Sequence, residues 1–194
     1  AIVLSAPMFL RVVSTPFVTA FADRAPDRAT VLMILIAGSL AASIGYFLEP
    51  AYLAVLAVSL VFAFFLTPQS PLCDSLALSG VRRFGSNYPA MRIWGSIAFL
   101  CANLGGGLLL GETGIAALPL TLSVSLAAAL AVSMIVPRLG RPRRASPLSA
   151  VEIQQVGPRL FDRRFMLLIV GAGLVSGSHG FLYGFVSIYW ESIG

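Results

Sequence analysis

The stretch that decides the fold is Leu72–Phe99, LCDSLALSGVRRFGSNYPAMRIWGSIAF. Two apolar runs meet in it across a short loop of Gly, Ser, Asn and Pro, with Arg82 and Arg83 beside the loop. Each run carries one full charge near the junction, Asp74 on the first and Arg92 on the second. Gly80 reads as a C-terminal stop for the first helix. Ser86 or Asn87 reads as the cap of the second, with Pro89 in its first turn. Asp74 then lies within about two turns of a helix C-terminus, and Arg92 lies close to an N-terminus. The helix dipole favours the opposite placement. Each charge is therefore best offset by the other or by a shared polar ligand. A plainer reading stands beside this one: Arg92 snorkels to the membrane interface and Asp74 is solvated there.

Long apolar runs recur through the chain. It is 58% hydrophobic and 11% charged, with a mean hydropathy of +0.91. Soluble domains are about 25% charged, so this chain lacks the polar surface to cover itself in water and must be solvated by lipid. Cys73 and Cys101 lie in or beside apolar runs, outside any CxxC or Cys/His spacing, which implies no metal site, disulfide framework or cofactor. The sequence opens at Ala1 inside an apolar run, without Met or a signal-peptide pattern, and stops at Gly194 just after another; it reads as an internal piece of a longer chain.

A bilayer core needs about 20 apolar helical residues. Six stretches meet or approach that length: Ile2–Phe21, Val31–Phe47, Tyr52–Leu66 continuing through Pro68 and Pro71 to Leu78, Ile93–Leu110, Ile115–Val136 and Phe165–Trp190. None alternates with period two, which argues against a β-barrel. All 13 basic residues are arginine. Arg11 lies within a span; the rest fall in alternate connections, at Arg24 and Arg28, at Arg82, Arg83 and Arg92, and from Arg138 to Arg164. The other connections carry Glu49 and Glu112 instead. Basic loops stay on the cytoplasmic side, so the first span runs inward and the last ends outside. Charge of this kind is a topology signal and calls for no nucleic-acid partner.

The expected fold is all-α, with six transmembrane helices. Residues 1–136 form an N-terminal five-helix bundle, 137–164 a basic cytoplasmic linker with surface helices, and 165–194 the first helix of a second bundle. Gly107/Gly111, Gly173/Gly177 and Gly180/Gly184 suit close helix packing, and Tyr189 and Trp190 suit an outer aromatic belt.

An ionisable side chain at mid-bilayer costs about 2.5–3.5 kcal/mol. Arg11 sits midway along the first span and faces a cavity on this reasoning. His179 lies fourteen residues after Phe165, about 21 Å along the helix, and is either a neutral His satisfied by a neighbour or a proton or ligand group. Phe99 lies two turns beyond Arg92 on one face; it either walls the Arg or is an ordinary core or lipid-facing Phe.

FADRAPDRA, Phe21–Ala29, resembles the cytoplasmic signature loop of the major facilitator superfamily, roughly G-x-x-x-D-R-x-G-R-R. Asp23, Arg24 and Arg28 match it; Thr19 replaces the first glycine, and Pro26–Asp27 interrupts the second half. On this resemblance the chain spans family helices two to seven. NYPAMRIWGSIAF looks like the start of helix five in oligosaccharide–proton symporters and, more closely, in the phenylpropionate-permease-like group; SHGFLYGFVSIYW looks like that group's helix seven. In lactose-permease-type symporters an acid on helix four and an arginine eighteen positions later bind the sugar, and a tryptophan stacks on it. Asp74, Arg92 and Phe99 match those positions, with Asp for Glu and Phe for Trp.

The resemblance implies a secondary transporter of the plasma (inner) membrane, a proton symporter without cofactors, monomeric when complete and dependent on the rest of its own chain. Its partners would be protons and a small organic solute, first an aromatic carboxylate, second a sugar or nucleoside. Arg92 would bind the substrate, and Asp74 would hold Arg92 or exchange a proton. Arg11 and His179 would line the cavity, with His179 a second proton-coupling candidate. Asp23, Arg24 and Arg28 would form the inner gate. A channel is one rival. An integral-membrane enzyme is another, and one His without Cys/His spacing argues against it.

Overall fold

The computed structural model describes residues 2–48, 51–85, 87–136 and 138–139, with Leu167, Val170, Gly171, Leu174, Trp190, Ser192 and Ile193. The chain divides into two compact units, Ala1–Pro142 and Arg143–Gly194. The first is built of helices: α1 (Ile2–Arg24), α2 (Arg28–Ser43), α3 (Tyr52–Leu66), α4 (Gln69–Phe84), α5 (Tyr88–Thr113) and α6 (Leu118–Ile135). Short 3-10 turns extend α2 to Phe47 and lead into α6 from Ile115. In the second unit the described residues have helical backbone.

Among the described residues, four segments are long and apolar enough to cross a membrane: Arg28–Phe47, Tyr52–Phe84, Tyr88–Thr113 and Ile115–Ile135. The first expected span is helical, as α1. The expected span Phe165–Trp190 falls largely outside the described residues.

One boundary expectation is corrected. The helix does not stop at Gly80 but runs on to Phe84 and ends at Gly85, whose φ of 69° is the left-handed conformation of a C-cap. The Gly85 N–H donates to the Val81 carbonyl at 2.9 Å. Gly80 is tolerated inside the helix, at a cost of roughly 1 kcal/mol against Ala.

The expected continuation through Pro68 and Pro71 is present, broken at Thr67–Pro68 between α3 and α4. Proline has no N–H to give the preceding turn. Gln69 spans the break, its Nε2 donating to the Phe65 carbonyl at 3.2 Å and to Ser39 Oγ on α2 at 2.7 Å.

The centre of the bundle is α2. Its buried residues, Ala29, Val31, Leu32, Leu35, Ile36, Ser39 and Ser43, recur at the three- and four-residue spacing of one helix face. They pack with Ala22, Leu72 and Leu76, with Phe65 and Leu130 at the margin. Polar contacts tie the elements between apolar layers. Ser43 and Ser123 hydroxyls meet at 2.9 Å, and the Tyr46 hydroxyl donates to Ser59 at 3.2 Å. Where helices share an apolar solvent, such contacts and close packing hold them together. By contrast, α5 has no buried residue, and Ile93, Trp94, Phe99, Leu104 and Leu108 are exposed along it.

Gly38 on α2 lies against the Phe65 ring of α3. A Cβ there would overlap the Phe65 ring, whereas one at Gly80 would meet nothing within 4 Å. Gly38→Ala should destabilise the protein by about 1–3 kcal/mol, and Gly80→Ala should be neutral or stabilising. Thermal melts of the two purified variants check this; equal Tm values would contradict it.

Candidate functional site

Both side-chain hydrogen bonds from α5 to α4 end on one atom, Asp74 Oδ1. Arg92 Nη1 donates to it at 2.8 Å and the Tyr88 hydroxyl at 3.2 Å. The local sequence explains the convergence. Gly85 turns the chain, and Asn87 caps α5 by accepting the Ala90 N–H at 3.3 Å. Tyr88 becomes the first helical residue and Arg92 follows one turn later on the same face. The fold thus brings together Asp74 and Arg92, as their shared junction suggests. Tyr88 was not among the expected site residues; its four-residue spacing from Arg92 was the signal available for finding it.

The dipole argument for this pairing does not survive. Asp74 stands ten residues before the helix end at Phe84, about three turns in. The dipole effect is confined to the last turn. What favours the pair is the expense of leaving either charge alone in an apolar medium. Asp74 follows Tyr52 by 22 residues, about 33 Å of helix, against a hydrocarbon layer of about 30 Å. Side-chain exposure is 64% for Arg92 and 41% for Asp74. The pair is open to a ligand, and as a stability device it contributes only about 0–1 kcal/mol.

The signature-loop residues form a second polar cluster. Arg28 Nη2 lies 2.5 Å from Asp23 Oδ1, and Arg28 Nη1 donates to Ser75 Oγ on α4. The Asp27 carboxylate caps α2 through the Ala29 N–H at 3.2 Å. Pro26–Asp27 therefore interrupts the motif yet supplies the helix start. Arg28 is largely buried, its side chain 16% exposed, while Asp23 is 60% exposed. Arg24 is exposed at the end of α1. Ser75, the neighbour of Asp74, was also missed by the sequence reading; nothing in a lone serine singles it out.

The remaining expected residues do not join the pair. Arg11 is exposed on α1 and makes no hydrogen bond or ion pair among the described residues. Phe99 is 68% exposed, with no ring contact to Arg92 among the described residues. His179 lies outside the described residues. A recess of about 140 Å³ opens between the start of α2 and the end of α6, lined by residues including Ala29, Thr30, Met33, Ser133 and Arg138; it adjoins the start of α2 beside Arg28 and is not lined by Asp74, Tyr88 or Arg92.

Comparison with known proteins follows from this geometry. A sequence model of the MFS_1-like family matches residues 1–194. The chain is 32% identical over 179 residues to a maltose permease of Geobacillus stearothermophilus, covering 90% of this chain and 43% of that protein. It is 28% identical over 137 residues to a probable 3-phenylpropionic acid transporter of Escherichia coli K12, covering 71% of this chain and 36% of that protein. The chain thus spans less than half the length of these curated relatives. No solved structure gives a significant match. A multi-pass, all-helical chain whose family model matches from end to end belongs to the MFS_1-like family, within the major facilitator superfamily.

Proposed function

We propose that the full-length protein is a proton-coupled secondary transporter that takes up a small aromatic carboxylate, with Arg92 as the anion-binding group. The observation that carries this is the single-point bond between Arg92 and Asp74. Among the described residues Arg92 is engaged through Nη1, and the edge formed by Nε and Nη2 has no protein partner there. That edge is the fork that binds a carboxylate through two parallel hydrogen bonds. Asp74 holds the guanidinium in place and is the candidate for proton exchange, with His179 a second. Phe99, two turns on, and Arg11 belong to the cavity wall in this reading.

The relatives support the substrate class from two sides. One is named for a maltose permease and the other for a 3-phenylpropionic acid transporter. A sugar is the second reading, since a guanidinium–carboxylate pair also binds hydroxyl groups. The chain would contribute six spans, family helices two to seven. Residues 1–136 belong to one bundle, 137–164 to a cytoplasmic linker and 165–194 to the next bundle. Transport follows from rocking of the two bundles, in the inner membrane, with basic loops inside and the complete chain as a monomer.

Asp23, Arg24 and Arg28 act at the inner gate. The hydrogen bond from Arg28 to Ser75 ties that gate to the helix that carries Asp74.

Uptake of labelled 3-phenylpropionate and of maltose by cells making the full-length protein tests the substrate reading. Arg92→Ala should lower uptake of the acid at least about 100-fold, the scale of removing one partner of a charged, hydrogen-bonded pair; dissipating the proton gradient should abolish accumulation. Unchanged uptake in Arg92→Ala would remove Arg92 from the site. At the gate, a double-mutant cycle of Arg28→Ala with Ser75→Ala should show a coupling of about 0.5–1.5 kcal/mol in stability, and additivity would show that the contact carries none.

A further inference from the structure

Asp74 and Arg92 meet in an unusual way for an unobstructed pair. A guanidinium and a carboxylate frequently meet fork to fork, two N–H groups on two oxygens. Here one nitrogen of Arg92 reaches one oxygen of Asp74, and that same oxygen also accepts from Tyr88. Tyr88 approaches from the loop side. Its backbone is fixed as the first residue of α5 by the Asn87 cap, and its side chain is half-buried while Arg92 is exposed. The phenol therefore reaches Asp74 Oδ1 from a fixed backbone position at the start of α5.

We infer that the Tyr88 hydroxyl is a positioning group for Arg92: by holding Asp74 through Oδ1 it restricts Arg92 to a single hydrogen bond and keeps the Nε–Nη2 edge open for a substrate carboxylate. This rests on the reading of Arg92 as the anion-binding group. Without the hydroxyl, Asp74 is free to turn and the exposed Arg92 guanidinium to swing round, so that its Nε–Nη2 edge closes as a fork on both oxygens of Asp74 and the internal carboxylate occupies the edge the substrate needs. Tyr88 thereby sets selectivity. Its removal penalises a carboxylate ligand, which needs the whole edge, and spares a neutral one, which takes a single N–H.

The test measures binding of 3-phenylpropionate and of its neutral amide to the purified full-length protein, as wild type, Tyr88→Phe, Arg92→Ala and the double variant Asp74→Asn/Tyr88→Phe beside Asp74→Asn. Tyr88→Phe should weaken acid binding about tenfold, the scale of one charge-assisted hydrogen bond. It should leave amide binding and the Tm unchanged. In the Asp74→Asn background, which has no competing carboxylate, Tyr88→Phe should have no further effect on acid binding. Equal losses for acid and amide, a lowered Tm or failure to fold in Tyr88→Phe, or an undiminished effect in the Asp74→Asn background would each overturn the inference, because the hydroxyl would then be structural. If Arg92→Ala loses the acid while Tyr88→Phe binds it like wild type, this inference alone falls. If Arg92→Ala also binds the acid like wild type, or wild type binds neither compound, the anion-site reading falls and takes the inference with it.

Discussion

Asp74 Oδ1 is a single acceptor atom on which two helices meet. Arg92 and Tyr88, one turn apart at the start of α5, both donate to it from across the α4–α5 turn. The rest of α5 has no buried residue. An ion pair this accessible contributes little to stability. It is also too expensive to leave unmade beside an apolar layer. On the proposed function, the pair is kept for what it binds.

The bundle behind it is arranged to hold α4 still. Apolar packing centres on α2, whose buried face meets Leu72 and Leu76 of α4. Polar contacts supplement it where the chain is weakest. Gln69 fastens the proline break to Ser39, and Ser75 receives Arg28 from the signature loop. Ser75 and Asp74 are adjacent in sequence, so one turn of α4 is joined to the Asp23–Arg28 pair on one side and to α5 on the other. Movement at the loop cannot leave the geometry of Asp74 untouched.

Much of this was legible in the sequence because a membrane chain has so few charges. With 11% charged residues, each one stands out, and the short capped turn between Asp74 and Arg92 put them forward as a pair beside the plainer reading that each is solvated at the interface. The helix start at Asn87 was readable for the same reason: a cap followed by proline has a local cause. The stop at Gly80 was misread because a glycine ends a helix only where the chain takes a left-handed conformation, and Gly85 is the residue that does so. Ser75 was invisible as a site residue, and Tyr88 was signalled only by its one-turn spacing from Arg92. Their roles come from which side chain lies opposite across helices, which apolar periodicity does not encode.

The central claim is that Asp74 and Arg92 form a substrate site and not a structural brace. Exchanging the two charges in the full-length protein, Asp74→Arg with Arg92→Asp, separates these directly. The swap restores attraction between the helices but moves the cation off the position from which the substrate is bound. The account predicts that the swapped protein melts close to wild type while uptake of 3-phenylpropionate stays lost. Recovery of uptake together with stability would contradict it, since a pair that works equally well in either order is a brace.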